Sequence, residues 1–314
     1  MKRFFILASA AIVALASCAK TQVVYKGEPQ EITFKAISGV MTKANLDGNT
    51  TMGVYANYAS TETDNAYETF FENAVFNDKG SYWGATPAKY WPLEGNLDFV
   101  VYSPYTNASG VVAWTYSDSQ SKLVIKVDNS TAQLNWLYGK GIANGTKGST
   151  VSTPLRHALA KVTANITSDL ADLVVKSVVV TATEQVGTLT VNYAETDNIE
   201  TPTDERLSWD LEEDDEVEKS LIGNNTLSAG VPVNGTPCYV IPSAQQKLVL
   251  TYRLPGMELS APDLTVDLPV TGEWVENYSY TYNISIGANE IMLNPTVDVW
   301  TEEKPDVAPI VPTV

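Results

Sequence analysis

The chain is predicted to be all-β, two tandem antiparallel β-sandwich domains, and three observations carry that expectation. Period-two alternation dominates from residue 30 onward, clusters of Gly, Asn, Asp, Ser and Pro interrupt it at short intervals, and helical spacing is scarce. The clearest strand is Tyr278-Ser279-Tyr280-Thr281-Tyr282-Asn283-Ile284-Ser285-Ile286, with an apolar residue at every second position and a polar one between. Such a segment buries one face and wets the other.

Taken in order, Ile32, Phe34 and Ala36 share one face of a first extended segment. Further strands are read at 97–102, at Leu123-Ile125-Val127, at 174–181, at 188–193 and at Leu248-Leu250-Tyr252. Asn107-Ala108-Ser109-Gly110 and Gly145-Thr146-Lys147-Gly148 are turn signals. Helix is expected only in part of 62–76 and as a turn or two at 131–138. The apolar segment 155–166 closes one strand series and another begins near Val174, which divides the chain into sandwiches at 44–168 and 169–300. The two halves share no convincing repeat.

The N-terminus reads as an address. Lys2-Arg3 precedes fourteen uncharged residues, 4–17, which fits the apolar region of a signal peptide spanning 1–17 and is short for a membrane span. The run ends Leu15-Ala16-Ser17-Cys18, and small residues before a Cys resemble a lipobox, so Cys18 is the expected lipidation site. Lipidation leaves Cys238 as the one remaining thiol, so no disulfide is expected. In Cys238-Tyr239-Val240-Ile241 that thiol reads as a small buried hydrophobe.

With 20 Lys and Arg against 37 Asp and Glu, the formal charge of −17 argues against nucleic acid, which is held by basic side chains on phosphates. Reactive groups are few. His157 is the one imidazole; it lies in a strand-like setting without a Gly-x-Ser-x-Gly elbow, and it reads as a packed residue at a sheet end. Neither HExxH nor paired CxxC is present, so no metal site, no cofactor and no enzymatic activity are expected. The nine acids within 204–218 lack the ligand spacing of a calcium loop and read as a solvated loop. Gly139-Lys140-Gly141-Ile142-Ala143-Asn144-Gly145 does not keep the spacing of a dinucleotide fingerprint and reads as a flexible loop. Tyr82, Trp83, Tyr90 and Trp91 fit either a platform for sugar rings or anchors in a sandwich core.

One ordered set of segments runs through Ile32-Thr33-Phe34-Lys35-Ala36, Thr42-Lys43-Ala44, Gly53-Val54-Tyr55-Ala56 and Tyr90-Trp91-Pro92 to Leu97-Asp98-Phe99-Val100-Val101-Tyr102-Ser103-Pro104. It continues with Leu137-Tyr138-Gly139, Arg156-His157-Ala158-Leu159-Ala160-Lys161, Tyr239-Val240-Ile241-Pro242 and Val297-Asp298-Val299-Trp300. Together these segments resemble the fimbrillin family of Bacteroidetes, the subunits of type V pili.

The resemblance implies transthyretin-like sandwiches and export as an outer-membrane lipoprotein precursor held in the membrane by lipid on Cys18. It also implies a groove-filling strand, Ile32, Phe34 and Ala36, within a segment 18–43 that a trypsin-like protease removes. Other pilin subunits then polymerise by strand exchange into extracellular fimbriae. No Arg lies between Arg3 and Arg156, so the cut matching the family's position falls after Lys43, before Ala44. The tail 301–314, with Val307, Ile310, Val311 and Val314, is the candidate donor strand, although Pro305, Pro309 and Pro312 each lack a ladder donor. The alternative function is a glycan-binding surface lipoprotein or a tip adhesin using the aromatic platform.

Overall fold

The computed structural model describes residues 28–36, 49–59, 67–93, 95–117, 120–130, 133–141, 148, 150–182, 185–194, 207–212, 217–242, 246–270 and 272–299. All of its regular structure is strand. Four sheets form.

The largest has eight strands in the order β10 (Arg156–His157), β8 (Leu137–Gly141), β5 (Asn96–Ser103), β2 (Thr51–Ala59), β3 (Tyr67–Asp78), β4 (Trp83–Ala85), β1 (Thr33–Ala36), β9 (Val151–Thr153). A four-stranded sheet runs β14 (Leu207–Glu212), β13 (Val186–Ala194), β7 (Gln120–Asp128), β6 (Val112–Ser117). A third runs β17 (Val233–Asn234), β11 (Ala160–Ser168), β21 (Tyr278–Ile286), β22 (Ile291–Val299), with β18 (Cys238–Val240) also on β11. The fourth runs β15 (Val217–Ile222), β12 (Leu173–Ala182), β19 (Gln246–Arg253), β20 (Leu264–Leu268), with β16 (Asn225–Leu227) on β12.

The eight-stranded sheet rolls on itself. β1 stands four places from β5, about 19 Å along a flat sheet, yet the rings of Phe34 and Phe99 are 5.3 Å apart. The interior of the roll holds one core, with Ile32, Phe34, Val54, Phe76, Phe99, Val101 and Val151 all fully buried. Its outer face at β2, β5 and β8 packs on the four-stranded sheet through Tyr55, Tyr102, Tyr138, Leu123, Ile125 and Leu189. β5 is covered on both sides, which explains why its sequence is nearly continuous in apolar residues rather than alternating. A separate core lies between the third and fourth sheets, built on Val162, Ala164, Ile166, Val178, Val180, Leu250, Tyr282 and Ile284.

The structure departs from several sequence expectations. Residues 67–76 form part of β3 and not a helix; the pairing with β2 shifts between Val54 and Ala56, and Asn73 takes a positive φ of 41° there. That bulge breaks period two, so Phe71 and Phe76 both reach the core at a spacing that an unbroken strand does not give. Leu137 and Tyr138, expected in a helical turn, begin β8.

Pairing is not wholly antiparallel, since β1 runs parallel to β9 and β11 parallel to β21. Alternation marks which face is buried and carries no information on strand direction. β11 joins β21, whereas β13 and β14 extend the sheet of β7. Finally, the acids of 204–218 are not all loop, because Leu207, Trp209 and Leu211 of β14 pack on the core while Asp210 and Glu212 face water.

Candidate functional site

The first strand is held on every side. β1 pairs antiparallel with β4, Thr33 opposite Gly84 and Phe34 opposite Trp83, and parallel with β9, Phe34 opposite Val151 and Ala36 opposite Thr153. Ahead of it the Ile32 N–H donates to the Lys89 carbonyl at 2.7 Å, and the Trp91 N–H donates to the Gln30 carbonyl at 2.9 Å. β1 is therefore an interior strand of its sheet although it precedes every other described element.

Its side chains alternate as the sequence requires. Ile32 and Phe34 are 0% exposed, and Lys35 faces solvent. The Phe34 ring meets Phe76 and Phe99 edge-on, with centroids 5.0 and 5.3 Å away and planes at 85° to each. Opposite it, β8 presents Gly141 with no side chain. A Cβ there would lie 2.8 Å from Phe99 Cβ, 2.9 Å from Val151 Cγ1 and 3.3 Å from Phe34 Cε1.

Gly141, Phe76, Phe99 and Val151 form the pocket and were not singled out by sequence. The signal available was Gly139-Lys140-Gly141, read as the start of a flexible loop. Residues 139–141 instead end β8, where the missing side chains admit the Pro154 carbonyl beside Gly139 and the Phe34 ring beside Gly141. The backbone of Ala36 continues the strand. Cys18, Lys43, Ala44, Val307, Ile310, Val311 and Val314 lie outside the described residues.

His157, Cys238 and two of the four aromatics are packed. His157 is fully buried at the end of the large sheet, its Nδ1 2.9 Å from Asn135 Oδ1 and its backbone N–H donating to Asn277 Oδ1 at 3.1 Å. Cys238 is buried in the core between the third and fourth sheets, and burial pushes its thiol up to about 12, so it is a poor nucleophile. Of the four aromatics, Trp83 and Trp91 pack on the core of the roll, whereas Tyr82 and Tyr90 are exposed.

β18 joins the cores. Cys238 and Val240 belong to one, and Tyr239 and Ile241 pack on the other. Beside it, Asn129 carries a small polar joint. Its N–H donates to the Gln185 carbonyl at 2.9 Å, and its own carbonyl accepts the Lys219 ammonium and the Gln133 amide. Among the described residues no group of three or more His, Cys, Asp or Glu is placed to hold a metal ion.

Solved structures share this architecture. A fimbrial protein from Bacteroides vulgatus superposes with a TM-score of 0.61 at 15% identity, covering 87% of this chain and 100% of its own. Two structures described as cell adhesion proteins follow. That from Bacteroides uniformis has a TM-score of 0.53 at 20% identity, covering 86% of this chain and 99% of its own. That from Bacteroides ovatus has a TM-score of 0.53 at 15% identity, covering 88% and 99%. No curated protein matches the chain. The fimbrillin-like family model matches residues 40–300, most of the sequence and nearly every strand described above, and the chain belongs to that family.

Proposed function

We propose that the chain is a structural subunit of a type V pilus, stalk or accessory, with no catalytic role. It is exported as a lipoprotein on Cys18, cut after Lys43 by a trypsin-like protease, and assembled with other pilin subunits by strand exchange. The fimbrial and adhesion proteins that share its fold support the coarse reading. The observation that carries the finer one is the place of β1: a short strand that pairs on both sides and, with Ile32 just ahead of it, buries Ile32 and Phe34 completely.

Losing such a strand exposes two sheet edges and a strip of core together, and an extended segment from another subunit restores both. The two side chains alone account for roughly 3–6 kcal/mol of burial, an upper bound against an extended unfolded chain. The tail 301–314 reaches roughly 46 Å when extended, long enough to serve as the donor to a neighbour.

The test uses cells that make the full chain alongside their own fimbriae. Sheared surface material should contain the protein in heat-resistant ladders on gels, and the Lys35→Gln/Lys43→Gln variant should lose them while remaining in the membrane fraction. Undiminished ladders from that variant would refute the maturation route. Alkyne fatty-acid label that persists in Cys18→Ala would refute the anchor.

A further inference from the structure

We infer that the groove occupied by β1 selects an aromatic side chain, and that the strand replacing β1 comes from a chain of different sequence and not from the tail of a second copy of this one. The inference rests on the strand-exchange reading above and adds the identity of the partner.

Two features of the groove set its selectivity. The first is the pocket of Phe34. Two edge-on rings and the bare floor at Gly141 shape a space that one aromatic ring fills, and a side chain at position 141 would collide with Phe99 and Val151. An aliphatic residue in that place leaves the floor uncovered, and its lining loses contacts outright. The second is that the groove is interior to the sheet, with β4 on one side and β9 on the other. A strand paired on both edges has little tolerance for proline, whose missing N–H and fixed φ suit edges and bulges.

The chain's own tail meets neither condition. Residues 301–314, Thr-Glu-Glu-Lys-Pro-Asp-Val-Ala-Pro-Ile-Val-Pro-Thr-Val, contain no Phe, Tyr or Trp. Any four consecutive residues from 302 onward, the length of β1, include Pro305, Pro309 or Pro312. The remaining window, 301–304, has no apolar residue. The occupant that fits is an extended, proline-free segment with a branched apolar residue and, two positions later, an aromatic, as in Ile32 and Phe34. The tail is left to fill a groove of another shape on another subunit, so this chain joins unlike neighbours on its two sides.

The experiment uses the full chain, nicked by limited trypsin that is then inhibited, and warmed with labelled synthetic peptides. The probes are the sequence of residues 29–36, the same peptide with Phe34→Ala, the tail sequence 301–314, and that tail with Pro312→Phe plus Pro309→Thr and Val311→Thr, which places an aromatic two positions after Ile310. Fluorescence anisotropy reads binding, and intrinsic Trp fluorescence confirms that the nicked protein stays folded. The 29–36 peptide is expected to enter the groove. Its Phe34→Ala form should bind at least about 100-fold more weakly, the fold-change matching a buried Phe→Ala truncation. The native tail should not exceed that weak form, and the altered tail should regain affinity. Equal uptake of the native tail and the 29–36 peptide would overturn the selectivity while leaving strand exchange intact. Uptake of no peptide at all, the 29–36 sequence included, would overturn both, because no groove has opened.

Discussion

Replacing Phe34 with Ala in the uncut chain is the most direct probe of β1. The ring is fully enclosed, so its removal forfeits transfer energy and leaves a cavity, a change that costs about 3–5 kcal/mol. Within that, each edge-on contact, to Phe76 and to Phe99, supplies about 0.5–1.5 kcal/mol. Such a loss is a large share of the roughly 5–15 kcal/mol that stabilises a typical domain.

The cost has a ceiling, because a four-residue strand near the chain's start can leave the sheet while the rest stays folded. Two assays separate the outcomes. Urea unfolding reads the global loss. Hydrogen exchange at the Ile32 and Trp91 amides, which donate to Lys89 and Gln30, reads local release. Phe34→Ala should either lower stability by about 3 kcal/mol or speed exchange at those two amides by about 100-fold or more, with the amides of β21 unaffected. Unchanged urea midpoint together with unchanged exchange would refute the account of β1 as a core strand.

Four further outcomes follow from other contacts. Gly141→Ala should destabilise by about 1–3 kcal/mol by overpacking, and Phe34→Ala should not rescue it, since Phe99 Cβ and Val151 Cγ1 still stand under 3 Å from the new methyl; thermal melts of both singles and the double decide. Tyr282→Phe removes the oxygen that accepts the Trp274 indole N–H at 2.7 Å in a buried site and should cost about 1–3 kcal/mol by urea titration. Cys238, with its thiol held up to about 12, should resist a thiol-specific reagent at pH 8 in the folded protein and react at once in denaturant. Burial lowers the Lys219 ammonium below its ordinary value, so on raising the pH the folded side chain loses its proton before the unfolded one does. The unfolded state then binds more protons and stability rises with pH in that window. Lys219→Met should lack that contribution, so wild type should gain on the variant as the pH rises toward the unfolded lysine's value of about 10.4, read as paired urea midpoints in which the tyrosines common to both cancel.

Alternation carried the fold class because a half-buried strand cannot avoid it. β11, β21 and β13 show it residue by residue, and Tyr280, Tyr282, Ile284 and Ile286 point inward as the sequence requires. Two kinds of information were beyond its reach. A bulge adds one residue and reverses the phase, which hid β3 behind a helix-like spacing and moved the inward residues of β12 from Leu173 and Val175 to Val178 and Val180. Partner choice is set by long-range packing, so nothing in the residues near 168 announces that β11 will join β21 and that β13 will return to β7. At the groove, the inward face of Ile32 and Phe34 was legible from parity alone. The pocket that receives them was not, since Phe76, Phe99, Gly141 and Val151 come from four strands and are neighbours only after the sheet rolls.

The division of the apolar residues among three cores bears on whether a subunit can lose its first strand and survive. Ile32 and Phe34 belong to the core inside the roll and to no other. The core between the large and the four-stranded sheet is closed by β2, β5, β7, β8 and β13, and the core of the third and fourth sheets by β11, β12, β19 and β21; β1 contributes to neither. β18 ties these two together through opposite faces, with Cys238 and Val240 on one side and Tyr239 and Ile241 on the other. Removing β1 therefore opens one compartment of a molecule whose other two remain filled and joined. The cost of opening is confined to the groove, and in the proposed assembly the same confined energy is what an incoming strand regains. A fold in which β1 had been shared among all three cores would lose all three with it. Its placement in one is what the proposed exchange requires.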